Sequence, residues 1–116
     1  MKNYAIGHAE GARSEFHEQL GLTGAEVSVN TLPAGGCVPF VHSHKENEEI
    51  YVITAGKGTL KIDGETVEVK SGDVIKIAPQ GKRQFMASED TDLSYVCIQV
   101  KASSLTQYTQ TDAVID

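Results

Sequence analysis

The chain has 116 residues, with 10 Lys and Arg against 16 Asp and Glu, for a net charge of −6 at neutral pH. That length suits a single domain with one core. The acidic balance argues against nucleic acid or an anionic membrane as partner, since both select a basic face. Hydrophobic residues at 40% and charged residues at 22% are the proportions of a folded globule, and two cysteines sixty positions apart make neither a disulfide framework nor a CxxC metal knuckle.

The N-terminal stretch MKNYAIGHAEGARSEF has no apolar h-region, so no secretory leader is expected. No apolar run approaches the length of a membrane helix, and the expected compartment is the cytoplasm, where free thiols stay reduced. The first regular signal is residues 25–31 (AEVSVNT), where apolar and polar residues alternate as in a half-buried strand. Residues 32–36 (LPAGG) break it. Residues 37–44 are expected as a second strand and 49–54 (EIYVIT) as a third.

Residues 59–62 (TLKI) and 66–69 (TVEV) flank Asp63-Gly64-Glu65, and Asp-Gly between alternating runs is a strong hairpin signal. Leu60 and Ile62 are expected to share a face with Val67 and Val69. Further turns at Ser71-Gly72-Asp73, Pro79-Gln80-Gly81 and 88–92 separate strands at 74–77, 83–87 and 93–100. About seven or eight short strands at this spacing predict an all-β, antiparallel sandwich or barrel. One domain is expected over 1–116, its barrel core about 25–101. The N-terminal segment and a Ser/Thr/Gln-rich C-terminal arm or short helix flank it.

The chemistry concentrates after the second strand. His42 and His44 are two apart, so in extended backbone they face one side, and neutral imidazole is the commonest nitrogen ligand for metals. Glu49 shares its strand face with Tyr51 and Ile53. A carboxylate facing the interior would cost several kcal/mol if unpaired, and a cation held by His42, His44 and Glu49 removes that cost. Two His and a carboxylate leave open positions on the ion for water, substrate or oxygen. Glu48, with the opposite strand parity, is the weaker choice of carboxylate.

Phe40 and Met86 share the parity of His42 and Gln84 and are expected to line an apolar pocket. Cys97 reads as an inert buried thiol and Cys37 as no nucleophile. His8 and His17 are expected in solvent, and Lys82 and Arg83 as solvated turn charges. Tyr51 is the weak candidate for a catalytic proton donor.

These residues resemble the cupin family. Its first motif reads G, five residues, H-x-H, three or four residues, E, six residues, G. Here it runs Gly36-CVPFV-His42-Ser43-His44-KENE-Glu49-IYVITA-Gly56, with every defining position matched. The second motif reads G, five residues, P-x-G, two residues, H, three residues, N. Gly72 opens it, one extra residue precedes Pro79-Gln80-Gly81, and Gln84 stands at the place of the third metal-binding His. Counted from Gly72 instead, that place falls on Arg83. Gln84 is the preferred reading, because an amide oxygen can bind a metal and a guanidinium cannot.

The resemblance implies a jelly-roll-like β-barrel, often paired into homodimers, with one divalent transition metal ion (Zn, Fe, Mn, Ni or Cu) in its mouth. The ligands it implies are His42, His44, Glu49 and, as a weaker donor, Gln84. Family members include dioxygenases, isomerases and decarboxylases as well as non-catalytic sugar or effector sensors. The expected ligand is a small, oxygen-rich organic molecule, either turned over as substrate or only bound.

Overall fold

The computed structural model describes residues 2–116. Its strands are β1 (Arg13–Glu15), β2 (Glu26–Leu32), β3 (Asn47–Ile62), β4 (Glu65–Lys70), β5 (Val74–Ile77), β6 (Arg83–Ala87) and β7 (Leu93–Lys101). One short helix, α1 (His17–Leu20), follows β1. Every strand pairing is antiparallel. The chain is nearly all β, and a jelly-roll barrel fits this arrangement.

β3 organises the barrel. Its first half lies between β7 and β5, and its second half between β4 and β6. On the far side of β7 come β2 and then β1. Residues 49–54 and 59–62, expected as two strands, are therefore one 16-residue strand that passes from one sheet into the other. The passage needs an irregularity at Ile53/Ala55 and a φ of 79° at Gly56. A β-carbon at Gly56 would also collide with the Asp92 carbonyl, so glycine is required there on two counts.

The Asp63-Gly64 hairpin forms as expected. Asp63 and Gly64 take φ of 49° and 84°, and Ile62 pairs with Glu65 across them. Leu60 sits opposite Val67, but Val67 is left exposed because β4 lies at the sheet edge.

Residues 37–44 do not form the expected strand. They run beside β6 with only two isolated bridges, Cys37–Met86 and His42–Arg83. Pro39 lacks an N–H and interrupts any ladder there.

β2 faces the barrel with its polar half: Ser28 and Asn30 are buried, while Val27 and Val29 on the other face are half-buried. The core beneath the barrel mouth is built by Ile53, Leu60, Ile77, Phe85, Leu93 and their neighbours. Tyr51, Phe85 and Tyr95 form an aromatic trio with ring centroids 4.5 to 5.7 Å apart. Such pairs contribute about 0.5–1.5 kcal/mol each beyond simple burial.

The tail after β7 is an exposed arm with one 3-10 turn at Thr109–Thr111; Leu105, Tyr108, Val114 and Ile115 all face solvent. Among the described residues no helix is long and apolar enough to cross a membrane.

Candidate metal centre

Backbone pairing sets the histidines in place without a regular strand. His42 and Arg83 exchange two backbone hydrogen bonds of 3.1 and 3.0 Å, and the His44 N–H donates to the Pro79 carbonyl at 2.8 Å. The His42 and His44 rings then meet edge to face, 5.1 Å apart. Glu49, on the inward face of β3, is 2% exposed. Its Oε2 stands 3.1 Å from His44 Nε2 and its Oε1 3.6 Å from His42 Nε2.

One donor atom from each of the three residues lies within 4.8 Å of the others. The His44 nitrogen is close to Glu49 but misaligned for a hydrogen bond. It and His42 Nδ1 are buried polar atoms with no hydrogen-bond partner. An unpartnered His44 nitrogen beside a buried carboxylate, with the His42 imidazole next to both, fits a divalent transition ion, whose ligation would replace the missing bond.

The carboxylate itself is not unpaired. Arg83, 1% exposed, reaches Glu49 Oε1 through Nη1 at 2.7 Å. Its Nε donates to the Gly81 carbonyl, and its Nη2 to the carbonyls of Ala78, Pro79 and Gly81. The expectation of a solvated turn charge at Arg83 is thus wrong. The guanidinium ties the Pro79-Gln80-Gly81 turn to the floor of the barrel. Tyr51 donates to the same Glu49 oxygen at 2.5 Å, and Cys97 Sγ lies 3.4 Å from Oε2.

Gln84, the expected fourth ligand, lines the same cavity as His42, His44 and Glu49 but is half-buried on β6 rather than fully inward. On β6 the buried positions are Arg83, Phe85 and Ala87, so alternation turns Gln84 to the other face. Its amide Nε2 donates to the Val38 carbonyl at 2.7 Å. Counting from Gly72 rather than from Pro79 lands on the residue that faces Glu49. The extra residue before Pro79 is absorbed in the Ala78–Gly81 turn, whose 3.0 Å backbone bond closes it.

Phe40, His42, His44, Glu49 and Tyr51 line a cavity of about 470 Å³, within the range of small-molecule sites. Phe40 stands at its rim, 57% exposed, with its ring 5.7 Å from that of His42. Met86, expected beside Phe40, instead lines a separate groove with Lys57, Glu68 and Lys70. That groove is larger, about 730 Å³, but holds none of the histidines. His8 and His17 face solvent as expected, Cys97 is buried and Cys37 exposed.

Burial holds the His42 imidazole below its ordinary value of 6.5, assisted by the Arg83 charge and opposed by Glu49. For Glu49, burial pushes upward, but hydrogen bonds from Tyr51 and Arg83 outweigh it and hold the carboxyl below 4.5. Burial, with Cys97 and Glu49 nearby, drives the Tyr51 phenol well upward, and burial raises Cys97 to about 12. Tyr51 is therefore a committed donor to Glu49 rather than a ready source of protons.

Both His42 and Glu49 bind protons less readily folded than unfolded, so the unfolded state gains protons first on acidification and stability falls with pH. The decline should begin below about pH 6.5 and steepen through the carboxylate range. Denaturant midpoints of metal-free protein at pH 8, 6 and 5 test this. A midpoint that rises between pH 7 and 5 would contradict the assignment.

The sequence reading missed the contact between Arg83 and Glu49 and the inward polar face of β2. The alternation of β2 was visible, but it does not say which half turns inward.

The family model of the cupin domain matches residues 28–99. A cupin protein from Bacteroides fragilis is 58% identical, covering 100% of this chain and 99% of its own, with a TM-score of 0.96. A structure from Thermotoga maritima, described as a predicted oxalate decarboxylase, is 28% identical over 65% of this chain and 64% of its own, with a TM-score of 0.61. An uncharacterized protein of Methanocaldococcus jannaschii is 36% identical over 62 residues, and the match spans 50% of its length. The matched span runs from Ser28 to Gln99, from the inward polar face of β2 to near the end of β7, and takes in His42, His44 and Glu49. The chain belongs to the cupin family.

Proposed function

We propose that this cupin holds one divalent transition metal ion on His42, His44 and Glu49 and uses it to engage a small, oxygen-rich organic molecule in the adjoining cavity. The observation that carries the reading is the convergence of His42, His44 and Glu49, with His44 Nε2 buried and without a hydrogen-bond partner 3.1 Å from the Glu49 carboxylate. When bound, the ion supplies a Lewis-acidic centre with open positions for oxygen donors. Glu49 and Arg83 cancel in charge, so the charge of a bound dication stays uncompensated and favours an anionic ligand. The likeness to a Thermotoga maritima protein described as a predicted oxalate decarboxylase is consistent with that ligand class. Elemental analysis after loading with Zn, Fe, Mn, Ni or Cu and exhaustive dialysis tests the reading. One equivalent of metal supports it, and failure of all five to bind refutes it.

Whether the bound molecule is turned over is a separate matter, and one observation favours a binding module. Tyr51, the nominated proton donor, is committed to Glu49 and titrates far above neutral pH. A turnover assay with metal-loaded protein separates the two readings.

We also propose that two copies pair. On the outer face of the sheet formed by β2, β7, β3 and β5, Val27, Ile98 and Ile50 lie in register, and Val29, Val96, Val52 and Val74 form the next row. Val74 is 67% exposed and the others except it are half-buried, so an aliphatic sheet face of this kind gains by covering. Sedimentation at micromolar protein should show a dimer, and Val96→Glu should shift it to monomer. A wild-type protein that stays monomeric excludes the pairing.

A further inference from the structure

The inward polar row on β2 is not used by the metal cluster. Asn30, 5% exposed, accepts a 2.7 Å hydrogen bond from Arg13 Nη1 on its Oδ1. Its Nδ2 donates to the Oγ of buried Ser28 at 3.0 Å, which fixes the amide with its oxygen toward Arg13. Two buried polar residues on an inward strand face thus hold one guanidinium in place, and the hydrogen bonds among the three offset their burial.

Arg13 lines the same cavity as His42, His44 and Glu49, entering it from the edge strand β1. Its remaining protein partner is Glu15, which accepts from Nε at 3.2 Å in a pair more than half exposed on both sides. Such exposed pairs are weak. Of the five N–H groups of a guanidinium, three therefore have no protein acceptor among the described residues. Among the residues lining the cavity Glu49 and Arg83 neutralise each other, which leaves Arg13 as its fixed positive charge. The Arg13 charge is felt inside the barrel, where it opposes the upward shifts of Tyr95 and Cys97. The same cavity wall also carries apolar side chains, among them Leu32, Val38 and Phe85.

We propose that Arg13 is the specificity-determining anchor of this cavity, binding the carboxylate of a small aliphatic acid whose far, oxygen-bearing end meets His42, His44 and Glu49. The proposal rests on the reading of that cluster as the metal-bearing end of a ligand site. A planar guanidinium with free N–H groups matches a carboxylate, and the apolar wall accommodates the methylene body between the two ends.

Calorimetric titration of malonate, succinate and glutarate tests the anchor, with 1,4-butanediol as an uncharged control, on metal-free and cobalt-loaded protein. At least one of the three acids should bind wild type, and Arg13→Gln should weaken it about tenfold or more. Arg13→Lys should fall between the two. Asn30→Asp keeps a partner for Arg13 but neutralises it, and should weaken the acid as Arg13→Gln does. Cobalt uptake, read from its visible spectrum, should be the same in wild type and Arg13→Gln.

Equal affinity of the acid for wild type and Arg13→Gln overturns the anchor, as does failure of all three acids to bind wild type. If no cobalt binds but acid binding still depends on Arg13, the metal reading falls and the anchor stands. If cobalt binds normally and acid binding ignores Arg13, the metal reading stands and the anchor falls.

Discussion

Replacing Arg83 by Ala should cost about 3–5 kcal/mol of unfolding free energy, the range for removing one partner of a buried ion pair. The guanidinium is 1% exposed and serves two structures at once. It neutralises Glu49 at 2.7 Å, and it collects the carbonyls of Ala78, Pro79 and Gly81 at 2.7 to 3.2 Å. Alanine would leave a carboxylate under the barrel mouth with Tyr51 as its nearest strong donor, and three turn carbonyls without their shared partner. Denaturant melts of metal-free protein measure the loss. The Arg83→Ala, Glu49→Gln double variant should lose less than the sum of the two single changes, because neutralising position 49 removes the stranded charge. A loss below about 1 kcal/mol for Arg83→Ala would show that neither the turn nor the carboxylate depends on it.

Replacing His44 by Ala should raise the dissociation constant for a divalent transition metal by at least about 100-fold, since second-shell changes alone reach that size. The proposed set has only two imidazoles and one carboxylate, and Glu49 is already shared with Arg83 and Tyr51. His44 Nε2 is the unpartnered nitrogen nearest that carboxylate, at 3.1 Å. Gln84→Ala should change metal affinity by less than about threefold, because its amide is engaged with the Val38 carbonyl rather than with the cluster. Equilibrium dialysis with zinc or cobalt measures both. A His44→Ala protein that keeps one equivalent of metal at unchanged affinity would overturn the ligand assignment, and a large loss in Gln84→Ala would restore Gln84 to it.

Much of this protein was determined by local sequence. Asp63-Gly64 is flanked by alternating residues and takes positive φ twice, because a two-residue turn between strands demands it. The spacing of Gly36, His42, His44, Glu49 and Gly56 picked out the two imidazoles and the carboxylate that stand together, although backbone pairing with Arg83 and Pro79, not a regular strand, sets the histidines in place.

Other features were decided only by the tertiary structure. Residues 37–44 are expected as a strand, yet Pro39, which has no N–H to donate, leaves two isolated bridges beside β6 in place of a ladder. The period of β2 says that its halves differ, but only closure of the barrel makes Ser28 and Asn30 the inward half. The extra residue before Pro79 offered two registers, and the sequence cannot choose between them. A one-residue slip exchanges every side chain on a strand between its faces. The pairing of β6 with β3 makes the choice, Lys61 opposite Gln84 and Ile62 opposite Arg83, so the guanidinium is buried against Glu49 while the half-buried amide donates to the Val38 carbonyl.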